Sequence, residues 1–170
     1  MTKVTFVDEY DNIIGSGTKQ DYYDQGLIHR IVRIFLLNKK GELLIQKRSQ
    51  NRPYLPNKWD QSAAGHVDVG EEYETAAKRE LEEEVGIKDV TLKSIGKIYT
   101  EETDEPQIKK RFNTLYIGNY DGEVYLDPEE VSETKWIATK DLDLWIKEKP
   151  NEFTEGFRRA FRFFMENNLH

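Results

Sequence analysis

The sequence predicts an α/β fold, strand-forming runs interrupted by one acidic helix and closed by one aromatic helix. Three observations carry this. Ile31-Val32-Arg33-Ile34-Phe35-Leu36-Leu37 and Leu43-Leu44-Ile45-Gln46-Lys47-Arg48 are β-rich runs joined by the turn signal Asn38-Lys39-Lys40-Gly41, a hairpin pattern. Ala77, Leu81 and Val85 stand at i, i+4, i+8 and give a helix an apolar stripe for packing on a sheet. Phe157, Phe161 and Phe164 repeat at helical spacing near the C-terminus.

Taken in order, Val4-Thr5-Phe6-Val7 reads as a short strand, and Asp8 to Gly17 as a turn-forming segment. Lys19 to Leu27 is polar and reads as a loop, with His29-Arg30 at the entrance to the first long strand. Ser49 to Asp60 is a turn-rich loop in which Trp59 is assigned to packing. Ser62-Ala63-Ala64 is small enough for a strand with close backbone approach. Val90 to Tyr99 and Arg111 to Gly118 alternate as strands do, with the acidic, proline-broken segment Thr100 to Gln107 between them as a loop. Thr134 to Ile137 is a short strand, Ala138 to Ile146 opens a helix, and Phe153 to Asn168 is amphipathic with Thr154 as its N-cap. No repeat or linker divides the chain, which reads as one domain over residues 1–170.

The 170 residues suffice for a substantial core. A net charge of −7 argues against a general nucleic-acid or anionic-membrane binder. The absence of cysteine excludes disulfides, thiolate metal sites and cysteine nucleophiles. No apolar leader or membrane-length run is visible, so the expected compartment is the cytoplasm.

The stretch Gly65 to Ile87, GHVDVGEEYETAAKRELEEEVGI, carries the chemistry. Gly65 and Gly70 bracket a turn, and a helix is expected from about Glu71 to Val85, with Glu71 and Glu72 at the positive end of its dipole. Gly86 fits a left-handed cap. Glu80, Glu83 and Glu84 fall at i, i+3, i+4, so three carboxylates share one face. Such stacking repels unless a cation of higher charge compensates, and oxygen-only ligands point to magnesium or manganese. A solvated acidic face is the alternative reading of an isolated EExxE run.

The surrounding residues decide between them. Gly65, Glu71, Arg79, Glu80, Leu81, Glu83, Glu84, Gly86 and Ile87 meet every position of the spacing G-x5-E-x7-R-E-U-x-E-E-x-G-U. The chain resembles the Nudix hydrolase superfamily, whose signature this is. The resemblance implies an α/β/α sandwich with a mixed β-sheet between helices, and a metal-dependent hydrolase of diphosphate linkages. It implies that Glu80, Glu83 and Glu84 bind Mg2+ (or Mn2+), that the backbone at Ala64 and Gly65 lies close to the metal, and that Arg79 and Glu71 brace the cluster. Metal would neutralise the bridging phosphates and acidify the attacking water. The general base is open among Glu80, Glu83 and the acidic-segment residues Glu101, Glu102 and Glu105. Arg48 and Arg52 follow the hairpin and read either as phosphate ligands or as solvated charges. The expected partner is a small-molecule diphosphate, a nucleoside diphosphate linked to another group; a homodimer is left open beside a monomer.

The resemblance extends beyond that signature. GELLIQKRS, PxKWDxSAAGH, DPEEVSETKW and FTEGFRRAF are similar to the branch that includes type 1 isopentenyl-diphosphate isomerase. That enzyme uses a cysteine where Ala64 stands and two acidic strand residues where Lys109 and Arg111 align. His29 and His66 fall where it has metal-binding histidines; a hydrogen-bonding loop role is the alternative for His66. With the cysteine and acids absent and the glutamates complete, hydrolysis is the expected reaction. Isomerisation and non-catalytic nucleotide sensing are its rivals.

Overall fold

The computed structural model describes residues 2–104 and 107–168. Its strands are β1 (Val4–Val7), β2 (Ile13–Gly17), β3 (Ile28–Leu37), β4 (Glu42–Arg48), β5 (Trp59–Asp60), β6 (Ala63–His66), β7 (Lys93–Asp104), β8 (Gln107–Asn119) and β9 (Val131–Ala138). The helices are α1 (Lys19–Gln25), α2 (Tyr73–Val85), α3 (Thr139–Glu148) and α4 (Glu155–Asn168).

Strand β3 is the hub. It pairs in parallel with β8 from Ile28↔Lys110 to Leu37↔Asn119, and antiparallel with β6 from Ile31↔His66 to Ile34↔Ala63. The hairpin partner β4 meets β3 only at Leu37↔Leu43, then diverges to pair with β9 and β5. The sheet is therefore mixed, with apolar side chains on both faces. Val32, Ile34 and Leu36 point to one face and pack with Ala76, Ala77, Leu81 and Val85 of α2. Phe35 points to the other and packs with Leu142 of α3 and with Phe157, Phe161 and Phe164 of α4. A strand buried on both faces loses polar alternation, which is why β3 reads as a continuous apolar run. Trp59 is buried in the second core, as its packing assignment requires.

Three segments differ from the sequence reading. Ile13–Gly17 is a strand, paired antiparallel with β1, although its first four residues are exposed. Backbone pairing at an edge leaves no apolar alternation to read. Lys19–Gln25 is a helix, not a loop. Thr18 Oγ1 accepts from Asp21 N and Asp21 Oδ2 accepts from Thr18 N, a capping box, and Gly26 closes the helix in the left-handed region. Only Tyr22 is buried on it, so no apolar stripe announces it.

Most of the acidic segment from Thr100 continues β7, not a loop. Across the hairpin Thr100, Glu101 and Glu102 stand opposite Arg111, Lys110 and Lys109, and the opposite charges hold the strand together. Helix α2 itself begins at Tyr73, so Glu71 precedes it and serves the loop instead.

Candidate active site

Strand β6 and helix α2 lie side by side, and Gly65 explains how closely. A Cβ there would lie 2.1 Å from Cδ of Glu80. Leaving that space empty lets the Glu80 carboxylate rest on the β6 backbone. At the far end of the helix, Gly86 adopts φ 65° and caps α2 as its position predicts.

The α2 acids are not equivalent. Glu84 is 4% exposed; its Oε1 accepts from Ala64 N at 3.0 Å and from Gln46 Nε2 at 3.2 Å. Burial, then the charge of Glu80, pushes its carboxyl well above the usual range. Burial likewise lifts Glu80 to about 7, against the pull of Arg79. The Glu83 side chain is half exposed.

Arg79 ties this end together. Its Nε donates to Glu71 Oε2 at 2.7 Å and its Nη2 to Glu71 Oε1 at 2.8 Å, a fork on one carboxylate. Nη1 donates to Glu80 Oε1 at 2.8 Å and Glu83 Oε2 at 3.2 Å, and Nη2 also reaches the His66 carbonyl at 3.0 Å and Asp68 at 3.3 Å. Glu71 Oε1 in turn accepts from Asp68 N, fixing the turn before the helix.

With Arg79 holding Glu80 and Glu83, among the described residues no three Asp, Glu or His side chains close on one point. The donor set nevertheless fits a hard cation: oxygen atoms only, with Glu80 and Glu84 crowded so that burial and mutual repulsion disfavour their negative charge unless a cation compensates it, and a side-chain-free backbone opposite them.

These groups form the wall of a cleft of about 920 Å³. Arg48 and Arg52 line it and neither is a solvated charge: their side chains are 14% and 23% exposed. The Arg48 guanidinium is engaged by the carbonyls of Tyr54 and Leu55 and by Asp60, so it holds the loop after β4. Arg52 pairs with Glu130 and lies 3.7 Å from Glu84 Oε2, spanning from the loop to α2.

The other end of the cleft is built on α1, β7 and β8. His29, fully buried, stacks between Tyr22 and His66 at 3.9 and 4.9 Å. Burial first, then neighbouring charges that include Lys19, Lys109 and Arg111, keep both imidazoles neutral. Arg111 Nε donates to His29 Nε2 at 3.2 Å. Among the base candidates, Glu102 lines the cleft, between Arg33 at 3.8 Å and Arg111 at 3.4 Å. Glu101 is exposed and accepts from Tyr99 Oη. Glu105 lies outside the described residues.

Sequence reasoning missed Gln46, Asp60, Glu130 and the α1 residues Lys19, Tyr22 and Tyr23. Gln46 carried a signal, an amide inside an otherwise apolar strand run. The α1 residues carried one too, the capping box of Thr18 and Asp21. Glu130 has none, because the sheet brings it from beyond β8.

Comparison with known proteins agrees with this fold. The NUDIX domain model matches residues 27–158. An isopentenyl-diphosphate Delta-isomerase 2 of Photorhabdus laumondii is 36% identical over 157 residues, covering 92% of this chain and 88% of that protein. An uncharacterized Nudix hydrolase of Pseudomonas aeruginosa is 37% identical over 134 residues, 79% of this chain and 77% of its own. A crystal structure from Deinococcus radiodurans superposes with a TM-score of 0.78 at 23% identity, covering 94% of this chain and 97% of that one. Its likeness shows the fold. With its signature helix, sheet and cleft in place, the chain belongs to the Nudix family.

Proposed function

We propose that this protein is a metal-dependent pyrophosphohydrolase, cleaving a diphosphate linkage in a nucleoside diphosphate derivative or related organic pyrophosphate. The observation that carries the reading is a pair of carboxylates, buried Glu84 and mostly shielded Glu80, facing a cleft and braced by the Ala64 amide and Arg79. Glu80, Glu83 and Glu84 would hold Mg2+, with Mn2+ as a substitute, beside the Ala64–Gly65 backbone. The ion would neutralise the diphosphate and acidify water there. Arg79 would keep the carboxylates aimed while its fork on Glu71 anchors it, and Arg52 would contact a substrate phosphate from the loop. Arg48 would act one step back, fixing the loop backbone. The proton from the attacking water passes to Glu80 or Glu83, or to Glu102 across the cleft.

Isomerisation is the second reading, favoured by the 36% identity to a protein named as an isomerase. The chain lacks any cysteine, and the resemblance aligns Lys109 and Arg111, both on β8, with that enzyme's two acidic residues. The positive charge of Lys109 and Arg111 disfavours proton abstraction from carbon.

The test is a product assay with magnesium over nucleoside di- and triphosphates, sugar nucleotides and isopentenyl diphosphate. Metal-dependent monophosphate release is expected, falling about 10³-fold in Glu84→Gln, the scale of losing several kcal/mol of metal-borne charge stabilisation. Tight binding without product would establish a sensor, and allylic product from isopentenyl diphosphate an isomerase.

A further inference from the structure

The edges of the sheet are not alike. Strand β7 pairs with β8 alone and β9 with β4 alone. The first exposes Lys93, Lys97 and Glu101 and the second Glu133 and Lys135, charges that deter pairing with another chain. Strand β2 pairs with β1 alone and carries no charge. Its Ile13 and Ile14 are 66% and 59% exposed, and a Cβ on Gly15 would meet nothing within 4 Å. The register with β1 skips Ile14, a bulge that keeps the regular run short. The two ends of this edge differ in charge. The turn before it carries Asp8 and Glu9, while Lys3 and Lys19 flank its far end, where Val4 pairs with Gly17. Glu9, Lys3 and Lys19 are exposed and form no ion pair among the described residues. The other acids nearby are engaged. Asp8 accepts from Tyr10 N and Asn12 N, Asp11 pairs with Arg30 and Lys97, Asp21 accepts from Thr18 N, and Asp24 from Gln20.

We propose that this edge joins a second copy of the chain, two β2 strands running antiparallel around a two-fold axis near Gly15. An edge acidic at one end and basic at the other is complementary to itself only when reversed, which is the relation a two-fold axis imposes. Glu9 of each copy meets Lys3 and Lys19 of the other. Ile13 and Ile14 lie over the small Gly15 and Ser16 of the facing strand, with backbone N–H and C=O groups pairing across the axis. Tyr10, 77% exposed, is carried over the groove between β2 and α1 that Phe6, Ile14 and Leu27 line. So short a strand buries less than the about 1,200 Å² of a stable interface, and the dimer is reversible, with a dissociation constant of about 10–100 µM. The contact is independent of the reaction, and it adjoins the cleft through Lys19.

Sedimentation equilibrium at up to about 1 mM protein tests this, a range that spans such an affinity. The wild type and Gly15→Ala are expected to show a monomer–dimer equilibrium. Gly15→Glu sets two carboxylates together at the axis, and its dissociation constant is expected to be at least about tenfold higher. Thermal melting of the dilute protein confirms that each variant folds. The chain has no cysteine, so Gly15→Cys carries a single thiol. Facing residues at the axis stand within the about 4.4–6.8 Å Cα separation that a disulfide needs. Under mild oxidation Gly15→Cys is expected to form a covalent dimer, and Lys40→Cys, in the exposed turn between β3 and β4, to stay monomeric. If Gly15→Glu does not fold, this comparison decides alone. A wild type that is monomeric throughout, assembly beyond a dimer, a dimer that survives Gly15→Glu, or equal cross-linking of the two cysteines overturns the proposal.

Discussion

The two ends of the cleft assemble charge in opposite ways. At the α2 end, Glu71, Arg79, Glu80, Glu83 and Glu84 come from fourteen consecutive positions, and one arginine reaches four carboxylates. At the other end, Lys19, Arg33, Glu102, Lys109 and Arg111 come from four elements, α1, β3, β7 and β8, the last three joined by sheet register. The first is a local device, set by helical period. The second exists only once β3, β7 and β8 have paired. Local assembly gives an end whose parts can be moved singly at little cost in stability. Assembly across the sheet couples the site to the fold.

The largest expected effect tests the local end. In Gly65→Ala the new Cβ falls 2.1 Å from Glu80 Cδ, which is the tip of a flexible side chain. Glu80 swings aside and the backbone stays. Activity is expected to fall about a hundredfold, the scale of a lost catalytic group, while the urea midpoint moves little. A large drop in stability with activity retained would show that Glu80 is packing and not chemistry.

Arg33→Met tests the coupled end through stability instead of turnover, so its effect is read on a different scale. Arg33 is 5% exposed; Nε donates to Asn113 Oδ1 at 2.9 Å and Nη1 to Gln61 Oε1 at 3.2 Å, with Glu102 at 3.8 Å. Removing one partner from a buried charged network costs about 3–5 kcal/mol, read from chemical denaturation. A loss below about 1 kcal/mol, the scale of an exposed ion pair, would mean that this network is not coupled to the fold.

Legibility in the sequence follows the same division. The α2 end could be read because its spacing is the helix period itself, and the apolar stripe of Ala77, Leu81 and Val85 fixed which face remained for the glutamates. The hairpin and the aromatic helix were legible for the same local reasons. What was not legible was pairing. Thr100–Asp104 looked like a loop because its acids face lysines and arginine only in the β7–β8 register. Lys109 and Arg111 were noticed as departures from an aligned pattern, but their convergence with Lys19 needs the turn of α1 over β8. Arg48 illustrates the limit within a single residue: its type suited phosphate, while the carbonyls that occupy it belong to a loop whose path no local rule predicts.

The smallest expected effect lies between the two ends, at Asp60. Thr154 Oγ1 accepts from Phe157 N at 3.1 Å, capping α4, and donates to Asp60 Oδ1 at 3.0 Å. Asp60 Oδ2 lies 3.5 Å from Arg48, which holds the loop bearing Tyr54. Thr154→Ala is therefore expected to cost about 1 kcal/mol as a lost cap, with Thr154→Ser restoring it. If the cap is its whole effect, kinetics are unchanged. If Asp60 relays the loss to Arg48, the loop shifts where Tyr54 meets Tyr23 and Lys109, and KM rises while kcat holds. That split, measured in Thr154→Ala against Thr154→Ser, separates a helix cap from a strut of the cleft.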